Sequence, residues 1–165
     1  MKHAVRSVLF ASLLVSPAAL AQTRPDFSGT WTMDPSRSAL AVQNEPVRSR
    51  TVVIRQTPTE LSIETRREEK SDVVVYKPGS ADSLNAGSSR SPLLASVWYW
   101  DGPKLITETI RDVNGATVRT REVHSLEAGG QEMIVETLLV VEHGYTLRGA
   151  QNYGSGKDIY KKVGS

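Results

Sequence analysis

The sequence predicts an all-β fold, an up-and-down antiparallel barrel of about eight to ten strands. Three observations lead there. Apolar residues alternate with polar ones at a period of two through most of the chain, amphipathic helical periodicity is almost absent, and short turn signals recur between the alternating runs. A meander of so many strands exposes unpaired edges unless the sheet closes on itself, and closure removes them. A two-sheet sandwich is the competing arrangement. It needs longer crossover connections, for which only the segments 38–47 and 78–92 offer enough chain.

The first 21 residues stand apart from this pattern. Lys2, His3 and Arg6 form a basic start, Val8 to Val15 an apolar run, and Ala19-Leu20-Ala21 a small-residue cleavage signal. That is the three-part plan of an export leader, so residues 1–21 are expected to be a signal peptide and 22–165 a single barrel domain. The apolar run falls short of the roughly 20 residues needed to span a bilayer. No later stretch reaches that length, and the mature chain is expected to have no membrane span. The expected location is therefore periplasmic or extracellular.

Composition narrows the function. The 165 residues carry 20 basic and 18 acidic side chains and no cysteine. Lys2 and Arg6 leave with the leader, so the mature chain holds 18 of each sign. A balanced chain gives no electrostatic case for nucleic acid. The absence of cysteine excludes disulfides, thiol catalysis and a lipid-modified cysteine anchor. No feature of the sequence encodes an oligomeric state.

The elements follow in order. Gly29 to Met33 reads as a first strand, stopped by Asp34-Pro35-Ser36. Ser38 to Val47, with Pro46, reads as a short helix or a loop. Arg50 to Thr57 is rich in β-branched residues and ends at Pro58-Thr59. In Glu60 to Arg67, Leu61, Ile63 and Thr65 share one face, while Ser62, Glu64 and Arg66 share the other. Ser71 to Lys77 is a further strand. Pro78 to Pro92 is rich in Gly, Ser, Asn and Asp and reads as a long connection. Leu94 to Trp100 and Lys104 to Asp112 are strands separated by Asp101-Gly102-Pro103. Asn114-Gly115 then marks a tight hairpin, since both positions tolerate positive φ. Ala116 to Leu126, Gln131 to Val141 and a closing strand, Lys157 to Val163, complete the series, with a short extra strand conceivable over Leu147 to Tyr153.

Gly29-Thr30-Trp31 near the mature start resembles the Gly-x-Trp signature on the first strand of lipocalins and their calycin relatives. Trp100-Asp101-Gly102-Pro103-Lys104-Leu105 and Ile159-Tyr160-Lys161-Lys162 are similar to segments of small secreted lipocalin-like proteins of bacteria. The resemblance implies a barrel with Trp31 plugging one end beside Gly29 and a cavity at the other. It also implies a late cation packed over the tryptophan. Lipocalins place an Arg there; here Lys161 or Lys162 stands near the expected position, with Arg148 somewhat before it. Many relatives bind small hydrophobic molecules, and a few are enzymes. Elementary physics supports the plug as well. Burying a tryptophan removes about 150–250 Å² from water, worth several kcal/mol at about 25 cal/mol per Å².

Candidate site residues come from aromatic and titratable positions on strands. Trp98 and Trp100 share a face with Tyr99 opposite, and form either a stacking wall for a ligand or part of the core. Tyr76 and Tyr145 carry the same two readings. Of the histidines, His143 reads as part of a turn. His124 shares a strand face with Thr120 and Glu122, and if that face is the lumen, Glu122 and His124 stand close enough for acid–base work. Alternation leaves the face open, because Arg119 and Arg121 on the other side are hardly more apolar. The candidate ligand-binding set is therefore Tyr76, Trp98, Trp100, Glu122 and His124, with no catalytic residue assigned. No histidine pattern of the His-x-His or His-Glu-x-x-His type occurs, so no metal is expected, and no cofactor.

Two further motifs are rejected. Gly154-Ser155-Gly156-Lys157 looks like the end of a phosphate loop, but Gln151 stands where the first glycine belongs, Asp158 replaces the hydroxyl residue, and a strand follows rather than a helix. The cluster Arg66, Arg67 and Lys70 is broken by Glu68 and Glu69 and reads as a solvated hairpin end. The sequence thus points to a secreted or periplasmic binding protein for a small hydrophobic or amphipathic molecule. The alternatives are a ligand-free structural or interaction domain of the cell envelope and, third, a barrel enzyme using Glu122 and His124.

Overall fold

The computed structural model describes residues 24–39, 48–84, 92–143 and 153–164. The leader, Tyr145, Arg148 and most of the segments 38–47 and 147–153 lie outside the described residues. Nine strands form one closed barrel: β1 Gly29–Met33, β2 Thr51–Gln56, β3 Leu61–Arg67, β4 Lys70–Pro78, β5 Leu93–Asp101, β6 Lys104–Val113, β7 Ala116–Glu127, β8 Glu132–His143 and β9 Tyr153–Lys162. Three single-turn 3₁₀ segments, Pro35–Arg37, Ala81–Ser83 and Ala128–Gly130, complete the described elements. Among the described residues, no helix is long and apolar enough to cross a membrane.

The expected closed, mostly antiparallel barrel is what the chain forms, with one exception to the alternation. Eight of the neighbouring pairs are antiparallel, but β4 and β5 run parallel, through Lys77 opposite Val97 and Pro78 opposite Trp98. The reason is arithmetic. Alternating directions cannot close a ring with an odd number of strands, so a nine-stranded barrel must contain a parallel pair. It falls where the chain has the slack to return without reversing, the Gly/Ser-rich connection of residues 79–92. Parallel strands need such a long connection, whereas a tight turn joins antiparallel ones.

The hairpins follow local chemistry. At the β6–β7 turn Asn114 and Gly115 have φ of +54° and +82°, the primed geometry whose twist matches that of the flanking strands. The Asp112 carboxylate accepts from the Gly115 amide at 3.0 Å. β1 and β9 close the ring, with Trp31 opposite Lys162 and Met33 opposite Tyr160.

Register assigns the faces. Opposed residues of an antiparallel pair point the same way, so the buried cluster Trp31, Val52, Ile54, Leu61, Ile63, Val74, Tyr76, Trp98, Leu105, Met133 and Tyr160 marks the interior. His124 lies opposite Leu105, Glu122 opposite Thr107 and Thr120 opposite Thr109. The face of β7 that alternation left open is therefore the lumen. Arg119 and Arg121 lie outside and gather with the Tyr99 hydroxyl around the buried carboxylate of Glu108, at 3.4, 3.5 and 2.5 Å. A second apolar cluster of Leu84, Val97 and Ile110 covers the outer face of β5 and β6.

Candidate functional site

The two ends of the barrel differ. One carries the entering segment 24–28 and the turns that end β2, β5 and β7. There Phe27 and Trp31 are fully buried, and the Trp31 indole nitrogen donates to the Phe27 carbonyl at 2.9 Å. The Lys162 ammonium sits 5.2 Å from the centroid of the Trp31 ring, a cation–π contact. Gly29 makes room for it. A Cβ built there would stand 3.0 Å from Lys162 Cε, and its φ of +132° disfavours any side chain. Lys161 instead pairs with Asp34 at 3.1 Å. The late cation over the tryptophan is thus a lysine, Lys162.

Above this plug the lumen opens into a cavity of about 790 Å³ at the end bearing the β3–β4 turn. Its walls come from β3, β4, β6 and β7. Ordered by distance along the strands from the β3–β4 and β6–β7 turns, they form three levels. Arg67, Glu69, Lys70, Ser71, Asp72 and Arg111 ring the mouth, with Thr65 just inside; Ile63, Val74, Thr109 and Thr120 line the middle; Tyr76, Thr107 and Glu122 stand deepest. At the mouth Arg111 pairs with Asp72 at 3.1 Å, bridging β6 to β4.

The deep end is a polar cluster. Thr107 Oγ1 lies 3.1 Å from His124 Nε2 and donates to Glu122 Oε2 over 3.4 Å, while the imidazole and that carboxylate oxygen are 3.7 Å apart. His124 is buried, and burial pushes its pKa down, with the nearby Glu122 charge opposing in part. Its neutral ring is fenced by Phe27, in edge contact at 6.3 Å. Burial likewise drives the Tyr76 hydroxyl above its ordinary range, and the Glu122 charge adds to it. Both shifts favour the uncharged form.

A second interior cluster runs from Arg50, just before β2, to β9. Arg50 donates to the Tyr160 hydroxyl at 2.7 Å and pairs with Asp158. Burial raises the Asp158 pKa against the pull of Arg50, and pushes Tyr160 up to about 12. These residues escaped the sequence reading because an isolated Arg or Asp in a strand looks solvated. Their parity was the available signal, since Arg50 shares a face with Val52, and Asp158 with Tyr160.

The five sequence-selected residues separate by depth. Tyr76 and Glu122 line the cavity. Trp98, Trp100 and His124 are not among its lining: Trp98 stands opposite Thr107, while Trp100 and His124 flank Leu105 one step deeper, with Trp98 against Trp100 edge-on at 6.2 Å and Trp100 against Phe27 at 6.1 Å. The side chain of His143 lies outside the described residues. The threonine walls at 65, 107, 109 and 120 went unremarked in the sequence, because threonine in a strand is ordinary β-propensity.

Comparison with known proteins places the architecture. No family model and no curated protein matches the sequence. Solved structures do match in shape. A mutant of the fluorescent protein UnaG superposes with a TM-score of 0.52 at 16% identity, over 84% of this chain and 97% of that one. Human cRBP IV gives a TM-score of 0.51 at 17% identity, over 84% of this chain and 99% of that one. The fold is the lipocalin-like, calycin-type barrel. At such identities the likeness is one of fold, and what this barrel holds must be read from its own walls. Those walls combine an apolar band at Ile63, Val74 and the Tyr76 ring with hydroxyls and charges above and below it. A lipocalin-like barrel with that lining suits a molecule having both an apolar body and a polar end.

Proposed function

We propose that this protein is an exported carrier that holds one small amphipathic molecule inside its barrel. The observation that carries the reading is the cavity of about 790 Å³, open at one end and floored by the aromatic layer at the other. That volume falls within the range of about 300–1,000 Å³ typical of small-molecule sites. Binding is non-covalent. Burial of the apolar body against Ile63, Val74 and Tyr76 supplies affinity, and the hydroxyls and charges fix orientation. His124 sits beneath the lining, walled off by Thr107 and Glu122, which favours a carrier over a catalyst. Export is supported by the leader pattern of residues 1–21.

The test uses a neutral environment-sensitive dye such as Nile red. Saturable, one-to-one fluorescence enhancement is expected, displaced by amphipathic competitors. Thr109→Phe fills the middle of the cavity and is expected to abolish the enhancement while preserving the circular dichroism spectrum. Enhancement that survives in Thr109→Phe, or is absent from the wild type, overturns the reading and leaves an envelope scaffold.

A further inference from the structure

We infer that Glu122 makes the carrier selective for amphiphiles with a protonated amine, the ammonium seated at the deep end on Glu122 and the apolar body above it. The inference rests on the carrier reading and names its ligand class. Its basis is a carboxylate deep in the cavity that has no cationic partner among the described residues. Arg111 and Asp72 already neutralise each other at the mouth, and Arg67, Glu69 and Lys70 stand exposed at the rim, where solvent screens them. Glu122 is different. Its side chain is one-third exposed, into the cavity, and its ionisable contact is the imidazole of His124. No lysine or arginine nitrogen among the described residues lies within ion-pair distance of it.

The groups around Glu122 offer it little. Thr107 lends one hydroxyl at 3.4 Å, the long end of a hydrogen bond, and His124 is kept neutral by burial. Arg50 feels the attraction of the Glu122 charge, but its ion pair and hydrogen bond go to Asp158 and Tyr160. The negative charge is nevertheless felt widely, opposing ionisation of Tyr76, Tyr160 and Asp158. An incoming anion meets that same field and is repelled. A neutral hydroxyl can donate to the carboxylate, but an ammonium adds a full opposite charge, and the Coulomb attraction between the two strengthens as water is excluded from the cavity. The ammonium therefore gains most. The Tyr76 ring beside Glu122 and Ile63 and Val74 in the level above it favour an apolar body for the rest of the molecule.

Calorimetric titration of the full-length mature chain at pH 7 with decylamine, decanol and decanoate tests this directly. Decylamine is expected to bind at least tenfold tighter than either of the others. Glu122→Gln is expected to remove that advantage, so that decylamine binds no tighter than decanol to the variant, and a circular dichroism spectrum matching the wild type certifies that the variant's barrel is intact. If decanol binds as well as decylamine, or decanoate binds best, the amine preference is wrong and the carrier reading stands. If none of the three binds, both fall. The wild-type comparison needs no variant, so a Glu122→Gln chain that fails to fold leaves the inference exposed to refutation.

Discussion

Trp31 shows how one side chain serves the whole barrel. Its ring is fully buried, its nitrogen is satisfied by Phe27, and its face is covered by Lys162. Trp31→Ala removes all three interactions and leaves a void at the plug, an expected loss of about 3–5 kcal/mol. Thermal or urea unfolding measures it, and an unchanged midpoint would refute the plug. His124 makes a pH prediction. Burial holds its native pKa below the ordinary 6.5, so below that pH the unfolded chain takes up a proton that the native chain resists. Its stabilising contribution is complete above about pH 6.5 and is lost as the pH falls. The groups facing the imidazole are Glu122, Thr107 and Phe27, of which Glu122 opposes the shift without reversing it. The stability of the wild type relative to His124→Leu is therefore expected to shrink from pH 7.5 to 5.5. A constant difference across that range would show that the ring is not held neutral.

At the scale of elements, β3 and β6 mark the limits of sequence reading. β3 was legible because one face is dry and the other wet, so Leu61 and Ile63 declared the core by alternation alone. β6 was not, because residues 105–110 are buried on both faces. The lumen takes one side, and the Leu84 cluster and the Glu108 ion cluster take the other, so the period of two disappears. The parallel pair was hidden for another reason. Strand count fixes its existence, and an estimate of eight to ten strands spans both odd and even rings. That pair is also the weakest join. β4 and β5 share two opposed residue pairs, whereas β7 and β8 share eleven. The Gly79 amide donating to the Trp98 carbonyl at 3.0 Å extends the seam. Local opening begins where the fewest hydrogen bonds must break. In native-state hydrogen exchange, Gly79 is expected to exchange well before amides within the β6–β7–β8 sheet, such as that of Glu122. Equal protection at the two positions would mean that the seam opens only with the whole barrel.

For the whole molecule, closure turns a strip of alternating residues into an inside and an outside, and the inside is divided again along its length. The aromatic layer of Phe27, Trp31 and Trp98, with Trp100 half-buried against it, is packed core, while the region between Tyr76 and the mouth is open space. Aromatic residues are conspicuous in a sequence, which is why the sequence reading favoured Trp98 and Trp100. A cavity is instead made by what fails to fill it, here the modest side chains of Val74, Thr107, Thr109 and Thr120. This division separates stability from binding, since the floor holds the barrel shut and the open region contributes little packing. A molecule that binds only the closed barrel must therefore raise its stability by mass action, by about 2.7 kcal/mol at a hundred times its Kd. For a domain of this size that corresponds to roughly 8–10 °C in Tm. Scanning calorimetry with increasing decylamine is expected to show Tm climbing with the logarithm of ligand concentration. Thr109→Phe is expected to melt within a few degrees of the wild type and to lose that climb. A climb that persists in the filled variant would place the bound molecule outside the lumen, since a blocked cavity cannot transmit its occupancy to the fold.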